Sequence, residues 1–255
     1  MCGRRRRETW RVGVSQGSAA AETNVREALA YGCKILALEG QGDIIWGHVT
    51  LRTPENPEKL YMKPAAMGLE EISASDLITV DLDGKKVDGE RPRHSEVFIH
   101  TEIMRARPEV DCVVHTHPPH AVAFGSTNRP LLPVGHEGSL FAGGLPVFSE
   151  TTDLIVTREL GEALAGTLGG SNAVLLQNHG LVAAGGSIAE AVMTAVVLER
   201  ACRVQMLADA MGGARAWTDP EEALAKKKRI YHKQALEQAF EYYARRVRAL
   251  EARGL

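Results

Sequence analysis

The sequence predicts an α/β domain with a mainly antiparallel or mixed central sheet covered by helices. Apolar runs of strand length follow one another directly in the N-terminal half and again around His179, and one pair is joined by the turn Asp83-Gly84. Amphipathic segments of helical period lie between these runs without a strict strand–helix alternation. Strict alternation would imply a parallel doubly wound sheet, whereas neighbouring short strands pair as antiparallel hairpins.

Residues 1–20 are expected to form a disordered, solvated tail, and residues 21–255 a single domain with a core ample for stability. The tail carries Arg4 to Arg7; an anionic tether is the other reading of that run, and no apolar segment follows it as a secretory signal requires. Val25, Leu29, Cys33 and Leu36 recur at helical spacing and predict a helix over 22–37. Strands are predicted over 48–52, 60–63 and 77–82, the last turning at Asp83-Gly84 into Lys86-Val87. A helix starts near His94-Ser95 with Ser95 as N-cap, places Ile99, Ile103 and Ala106 on one face, and ends before Pro108. A strand over 111–116 stops at Pro118-Pro119, and short strands are expected at 133–134 and 146–148. A helix over 152–168 closes at Gly169-Gly170. Strands over 173–176 and 180–184 flank His179, and helices over 188–211 and 221–253 complete the chain.

A formal net charge of −2 over 255 residues excludes a general nucleic-acid binder, which needs a basic surface. No apolar stretch is long enough to span a bilayer. Cys2, Cys33, Cys112 and Cys202 show no CxxC spacing and read as reduced thiols of a cytoplasmic protein.

The chemistry concentrates in Val113-Val114-His115-Thr116-His117. Alternation along a strand puts His115 and His117 on one face, where both imidazoles reach one cation; two hydrogen-bonded histidines near a strand end are the plainer alternative. His179, in Gln177-Asn178-His179-Gly180, is placed in a tight turn as a third ligand or as an ordinary turn histidine. Three neutral imidazoles leave a coordination position open, as catalysis requires, and suit zinc, manganese, cobalt and iron alike. Glu96 falls on the inward face of its helix, either as a capping acid or as a carboxyl aimed at the metal, acting as ligand or general acid/base. Gly40-Gln-Gly42 with Gly47 is not a dinucleotide fingerprint, because the spacing is wrong and a helix precedes it.

The stretch His94-Ser95-Glu96, Arg107-Pro108-Glu109-Val110, Val113-Val114-His115-Thr116-His117 and Leu176-Gln177-Asn178-His179-Gly180 resembles the class II aldolase/adducin family over about residues 22–245. The resemblance implies a three-layer α/β/α fold and a homotetramer with sites at subunit interfaces. It also implies one divalent metal ion per subunit on His115, His117 and His179, with Glu96 as the catalytic acid. Tyr231 of the C-terminal region is the candidate aromatic that enters a neighbouring subunit's site. Two phosphate-binding elements of the family's sugar-phosphate aldolases are altered, His48 replacing an asparagine in Trp46-Gly47-His48-Val49 and Ala65-Ala66 replacing a hydroxyl and a glycine after Lys63-Pro64. A phosphate site needs converging hydroxyl and backbone donors. His136, where the aldolases carry a proton-donating tyrosine, resembles the branch of hydroxypyridine-dicarboxylate and dihydroxyphthalate decarboxylases. The expectation is therefore a metal-dependent lyase that decarboxylates a hydroxylated aromatic or heteroaromatic acid. Glu96 or His136 supplies the proton, and His48, Arg52, Lys63 and Ser95 are candidates to hold the small-molecule carboxylate. An aldolase or epimerase acting on a sugar or sugar phosphate is the alternative, dioxygen chemistry at iron a further one, and a non-catalytic adducin-like interaction domain the contrasting class.

Overall fold

The computed structural model describes residues 19–254 and gathers its strands into one eight-stranded sheet. The strands are β1 (His48–Arg52), β2 (Lys59–Met62), β3 (Ile78–Asp81), β4 (Lys86–Asp88), β5 (Cys112–Thr116), β6 (Val147–Phe148), β7 (Ala173–Leu176) and β8 (Gly180–Gly185). Their order is β4-β3-β2-β1-β5-β8-β7-β6, antiparallel throughout except for the parallel β6–β7 pair, so the sheet is mixed as expected.

The strand period divides the core. Val49, Leu51, Cys112, Val114, Leu181 and Ala183 face one apolar cluster, while Met62, Val80, Val113, Val182 and Ala184 face another. The first cluster is covered by α1 (Ala19–Leu36), α3 (Pro119–Gly125), α5 (Ile188–Ala210) and α7 (Lys233–Glu251). The second is covered by α2 (Val97–Ala106) and α4 (Arg158–Leu168). The result is three layers, α/β/α. Cys33, Cys112 and Cys202 are buried free thiols.

Several elements depart from the sequence expectation for identifiable reasons. The tail assigned to 1–20 lies outside the described residues except at Ala19 and Ala20, which already belong to α1. Ser95 is exposed and does not cap α2; Glu96 occupies that position, its side chain turned away to accept the Ile155 N–H at 2.9 Å. Pro118-Pro119 ends β5 but also opens α3. Proline suits the first helical position, and the Glu199 carboxylate of α5 accepts the His120 and Ala121 N–H groups at 3.1 and 2.8 Å. Residues 133–134 form no strand, because the Leu132 N–H is taken by the Gln205 side chain at 2.7 Å and the Val134 N–H by the Leu132 carbonyl. Residues 152–157 are a loop, and Thr157 caps α4 by accepting the Leu160 N–H. The charged C-terminal segment is two helices, α6 (Pro220–Ile230) and α7, broken where the His232 ring accepts the Ala235 N–H and restarts the helix.

Candidate metal centre

The centre lies on the α2 side of the sheet, where β1, β5 and the β7–β8 turn meet. In β5 the His115 side chain follows Val113 onto that face, with His117 just beyond the strand. His179 sits in the β7–β8 turn after Asn178, whose φ of +54° is a left-handed conformation that asparagine tolerates. A Cβ on Gly180 would lie 2.6 Å from the Thr116 carbonyl and 2.7 Å from the His117 ring, so only glycine lets this turn approach β5 so closely. Glu96 reaches in from the start of α2.

Four ligand-type atoms, one each from Glu96, His115, His117 and His179, lie within 4.8 Å of one another. Glu96 Oε2 is 3.8 Å from His115 Nε2, and Glu96 Oε1 is 3.6 Å from His179 Nε2. The far nitrogens of two rings are committed: His115 Nδ1 donates to the Leu181 carbonyl at 2.9 Å and His117 Nδ1 to the Asp43 carboxylate at 2.7 Å. A neutral imidazole donating from Nδ1 has a bare lone pair at Nε2. The two Nε2 atoms nevertheless face each other at 3.0 Å, and the buried His179 Nε2 has no hydrogen-bond partner among the described residues. Converging lone pairs on rings held by a carbonyl and a carboxylate make a donor set that could hold a cation.

The electrostatics agree. Burial, followed by the neighbouring His117 and His179, pushes His115 well below the usual histidine range; burial, then His117, brings His179 down to about 4. Both rings are therefore neutral, as metal ligation requires. Burial raises Glu96 above the ordinary glutamate value, against the Ile155 N–H and with help from Asp153.

Around this group the structure adds a polar array. His48 stands opposite His115 in the β1–β5 ladder, is 1% exposed, and has Nε2 3.7 Å from Glu96 Oε2. Its Nδ1 lies 2.6 Å from Nε2 of His100, whose Nδ1 is 2.8 Å from Thr50 Oγ1. The His94 ring packs 4.5 Å from the His48 ring. Lys63 is 0% exposed, with its ammonium donating to the Ile45 carbonyl at 2.8 Å and lying 3.3 Å from His94 Nε2; burial lowers its pKa to about 8.

Arg52 is used elsewhere. Its guanidinium donates to the Pro57, Met104 and Val110 carbonyls and pairs with Asp111, a clamp at the opposite end of β1 from His48. His136 is exposed before the turn Glu137–Phe141 and is not in the four-residue group. Tyr231 is half-buried where α6 ends and packs against the other apolar cluster, so within one chain it too stands apart. Sequence reasoning missed His100, Asp43 and the packing role of His94. His100 was legible in principle, being one helical turn after Glu96 on the same face. Asp43 carried no signal, because only the fold brings the residue after Gly42 to His117.

The pattern described as the class II aldolase and adducin N-terminal domain matches residues 27–206. The chain is 34% identical over 208 residues to 3,4-dihydroxyphthalate decarboxylase of Arthrobacter keyseri, covering 77% of this chain and 84% of that protein. It is 36% identical over 194 residues to decarboxylase NovR of Streptomyces niveus, covering 75% of this chain and 70% of that protein. Among solved structures, L-fuculose 1-phosphate aldolase of Glaciozyma antarctica is similar, with a TM-score of 0.82 at 30% identity over 94% of this chain and 95% of that one.

Proposed function

This chain belongs to the class II aldolase and adducin family, and we propose that it is a divalent-metal-dependent lyase that decarboxylates a hydroxylated aromatic or heteroaromatic acid. The carrying observation is that ligand atoms of three imidazoles converge beside a buried carboxyl that burial pushes above the ordinary glutamate range. The likeness to two decarboxylases supports the same reading. His115, His117 and His179 would hold one ion per subunit, of zinc, manganese, cobalt or iron. Such an ion is a Lewis acid for neighbouring substrate oxygens.

The chain's own residues supply the rest. Glu96 gives its proton to the ring carbon that bears the carboxylate. A C–H bond forms there, the C–C bond breaks, CO2 leaves, and the bonding pair returns to the ring. Glu96, now a carboxylate, recovers a proton from water. His48 and Ser95 flank Glu96 and are the proposed polar contacts to the substrate. Lys63, sealed behind His94, acts as a buried positive charge rather than a direct contact. We also propose that residues 21–255 are one catalytic domain of a cytoplasmic homotetramer. His136 and Tyr231 would then serve a site across a subunit boundary. None of the described helices is long and apolar enough to cross a membrane.

An aldolase acting on a sugar phosphate is the second reading, favoured by the fold likeness to the fuculose-phosphate enzyme. Against it, Ala66 occupies the glycine position of the family's phosphate loop at φ +62°, and Ala65 offers no hydroxyl. The deciding experiment is elemental analysis of the purified protein with a two-class screen. CO2 release from 3,4-dihydroxyphthalate and hydroxypyridine dicarboxylates is expected; turnover confined to ketose phosphates would overturn the decarboxylase reading. Glu96→Gln should keep its metal and lose a hundredfold or more in kcat.

A further inference from the structure

We propose that Lys63 is a positioning residue whose ammonium clamps the turn at residues 43–46 and so keeps the Asp43 carboxylate on His117. What this does for an ion rests on His115, His117 and His179 being its ligands.

Polar bonds hold this turn. The Trp46 N–H donates to the Asp43 carbonyl at 2.9 Å, so Ile44 and Ile45 are its two central residues. Ile44 has φ +49°, a left-handed conformation that suits glycine or asparagine and is costly for a β-branched side chain. Ile44 is 70% exposed and Trp46 54% exposed, so burial of their side chains does not drive the chain into this shape. A strained conformation persists where its surroundings over-determine it. Among the described residues, two side-chain bonds tie the turn to the rest of the chain. Asp43 Oδ2 accepts from His117 Nδ1 at 2.7 Å, and the Ile45 carbonyl accepts from the Lys63 ammonium at 2.8 Å.

Lys63 is itself firmly placed. Its N–H donates to the Val49 carbonyl at 3.0 Å, which fixes it to the strand that follows the turn. Its buried ammonium has His94 Nε2 as its other polar neighbour, at 3.3 Å, and no carboxylate within ion-pair distance among the described residues. The charge therefore acts on the Ile45 carbonyl, and a charge-assisted bond is stronger than a neutral one. The chain entering the turn is fixed separately. Gln41, 1% exposed, donates to the Ala195 carbonyl at 2.9 Å and accepts from the Thr116 hydroxyl at 2.7 Å. Gln41 thus anchors the chain before Asp43 and Lys63 anchors it after Asp43. Without Lys63, Ile44 can leave its left-handed conformation and draw Asp43 off His117. The ring then loses the acceptor that directs its Nε2 toward the other candidate ligands.

Two measurements on the full chain test this. In the metal-free protein, Lys63→Met should speed hydrogen exchange of the Trp46 amide by roughly tenfold or more, read from 1H–15N spectra. A folded variant with unchanged exchange at Trp46 would overturn the clamp. With zinc, competition against a fluorescent chelator should show roughly three- to tenfold weaker binding in Lys63→Met. That loss should vanish in an Asp43→Ala background, because both changes act on one bond. An equal loss in both backgrounds would mean a merely structural effect and would overturn the role assigned to Lys63. So would unchanged zinc affinity in Lys63→Met where Asp43→Ala weakens it. Should Lys63→Met fail to fold, Lys63→Gln, whose amide ends one bond short of the Ile45 carbonyl, enters the same two measurements. A wild-type chain that binds no zinc would overturn the underlying metal reading, and the exchange data would still decide the clamp.

Discussion

Asp43→Ala should loosen the metal while leaving the three histidines in place. His117 Nδ1 donates to Asp43 Oδ2 at 2.7 Å, a charge-assisted bond that fixes the ring's tautomer and directs Nε2 toward the other ligands. Removing the carboxylate leaves a partly buried N–H without its acceptor, which costs about 1–3 kcal/mol. The Asp43 side chain is 32% exposed, so water replaces part of the lost bond and the lower half of that range applies. The expected result is roughly tenfold weaker zinc binding, or about 1.4 kcal/mol. Asp43→Asn keeps an acceptor oxygen without the charge and should fall between the two. Competition against a fluorescent zinc chelator measures the affinities, and circular dichroism checks the fold. Unchanged affinity in a folded Asp43→Ala variant would refute the claim that this carboxylate orients a ligand.

Arg52→Met should destabilise the chain by about 2–3 kcal/mol in urea denaturation, because a guanidinium bonded to three carbonyls and Asp111 is lost, while KM stays unchanged. A raised KM at full stability would return Arg52 to the substrate site. Ala66→Gly should raise the melting temperature by about 2–4 °C, since Ala66 sits at φ +62° and its strain is on the order of 1 kcal/mol; scanning calorimetry reads the shift. Acid should unfold the metal-free protein steeply. Burial holds His94 and His100 down to about 4 and about 3, so their stabilising effect is complete above the unfolded value near 6.5 and is lost as pH falls toward the folded values. Between the unfolded value and about 4 these two groups contribute a slope of about 2.7 kcal/mol per pH unit, to which the metal-free His115 and His179 add, readable from urea midpoints, and a flat profile would refute their burial as neutral rings.

The parts of this protein visible in the chain are those governed by local periodicity. The two-residue period of β5 placed His115 and His117 on one face, the turn signature around Gly180 isolated His179, and the helical period aimed Glu96 inward. The Asp83-Gly84 hairpin and the long helix α5 were legible for the same reason, because backbone geometry repeats over a few residues. Local rules also failed in local ways. Pro118-Pro119 reads as a stop until Glu199, far along the chain, caps the helix that the second proline starts. Likewise the charged C-terminal segment reads as one helix until the His232 cap divides it.

The surroundings of the candidate metal centre depended on the strand order. Only the pairing of β1 with β5 sets His48 opposite His115, and only the packing of α2 over that pair closes His100 onto His48. The same pairing drew Arg52, which looked free to bind a carboxylate, into a clamp on backbone carbonyls at the far end of β1. Sequence by itself determined the residue types of the candidate ligands and the faces from which they project, because those follow from residue chemistry and backbone period. Tertiary structure alone decided which polar groups stand behind the ligands and which are consumed elsewhere, because long-range contacts between buried groups have no period along the chain.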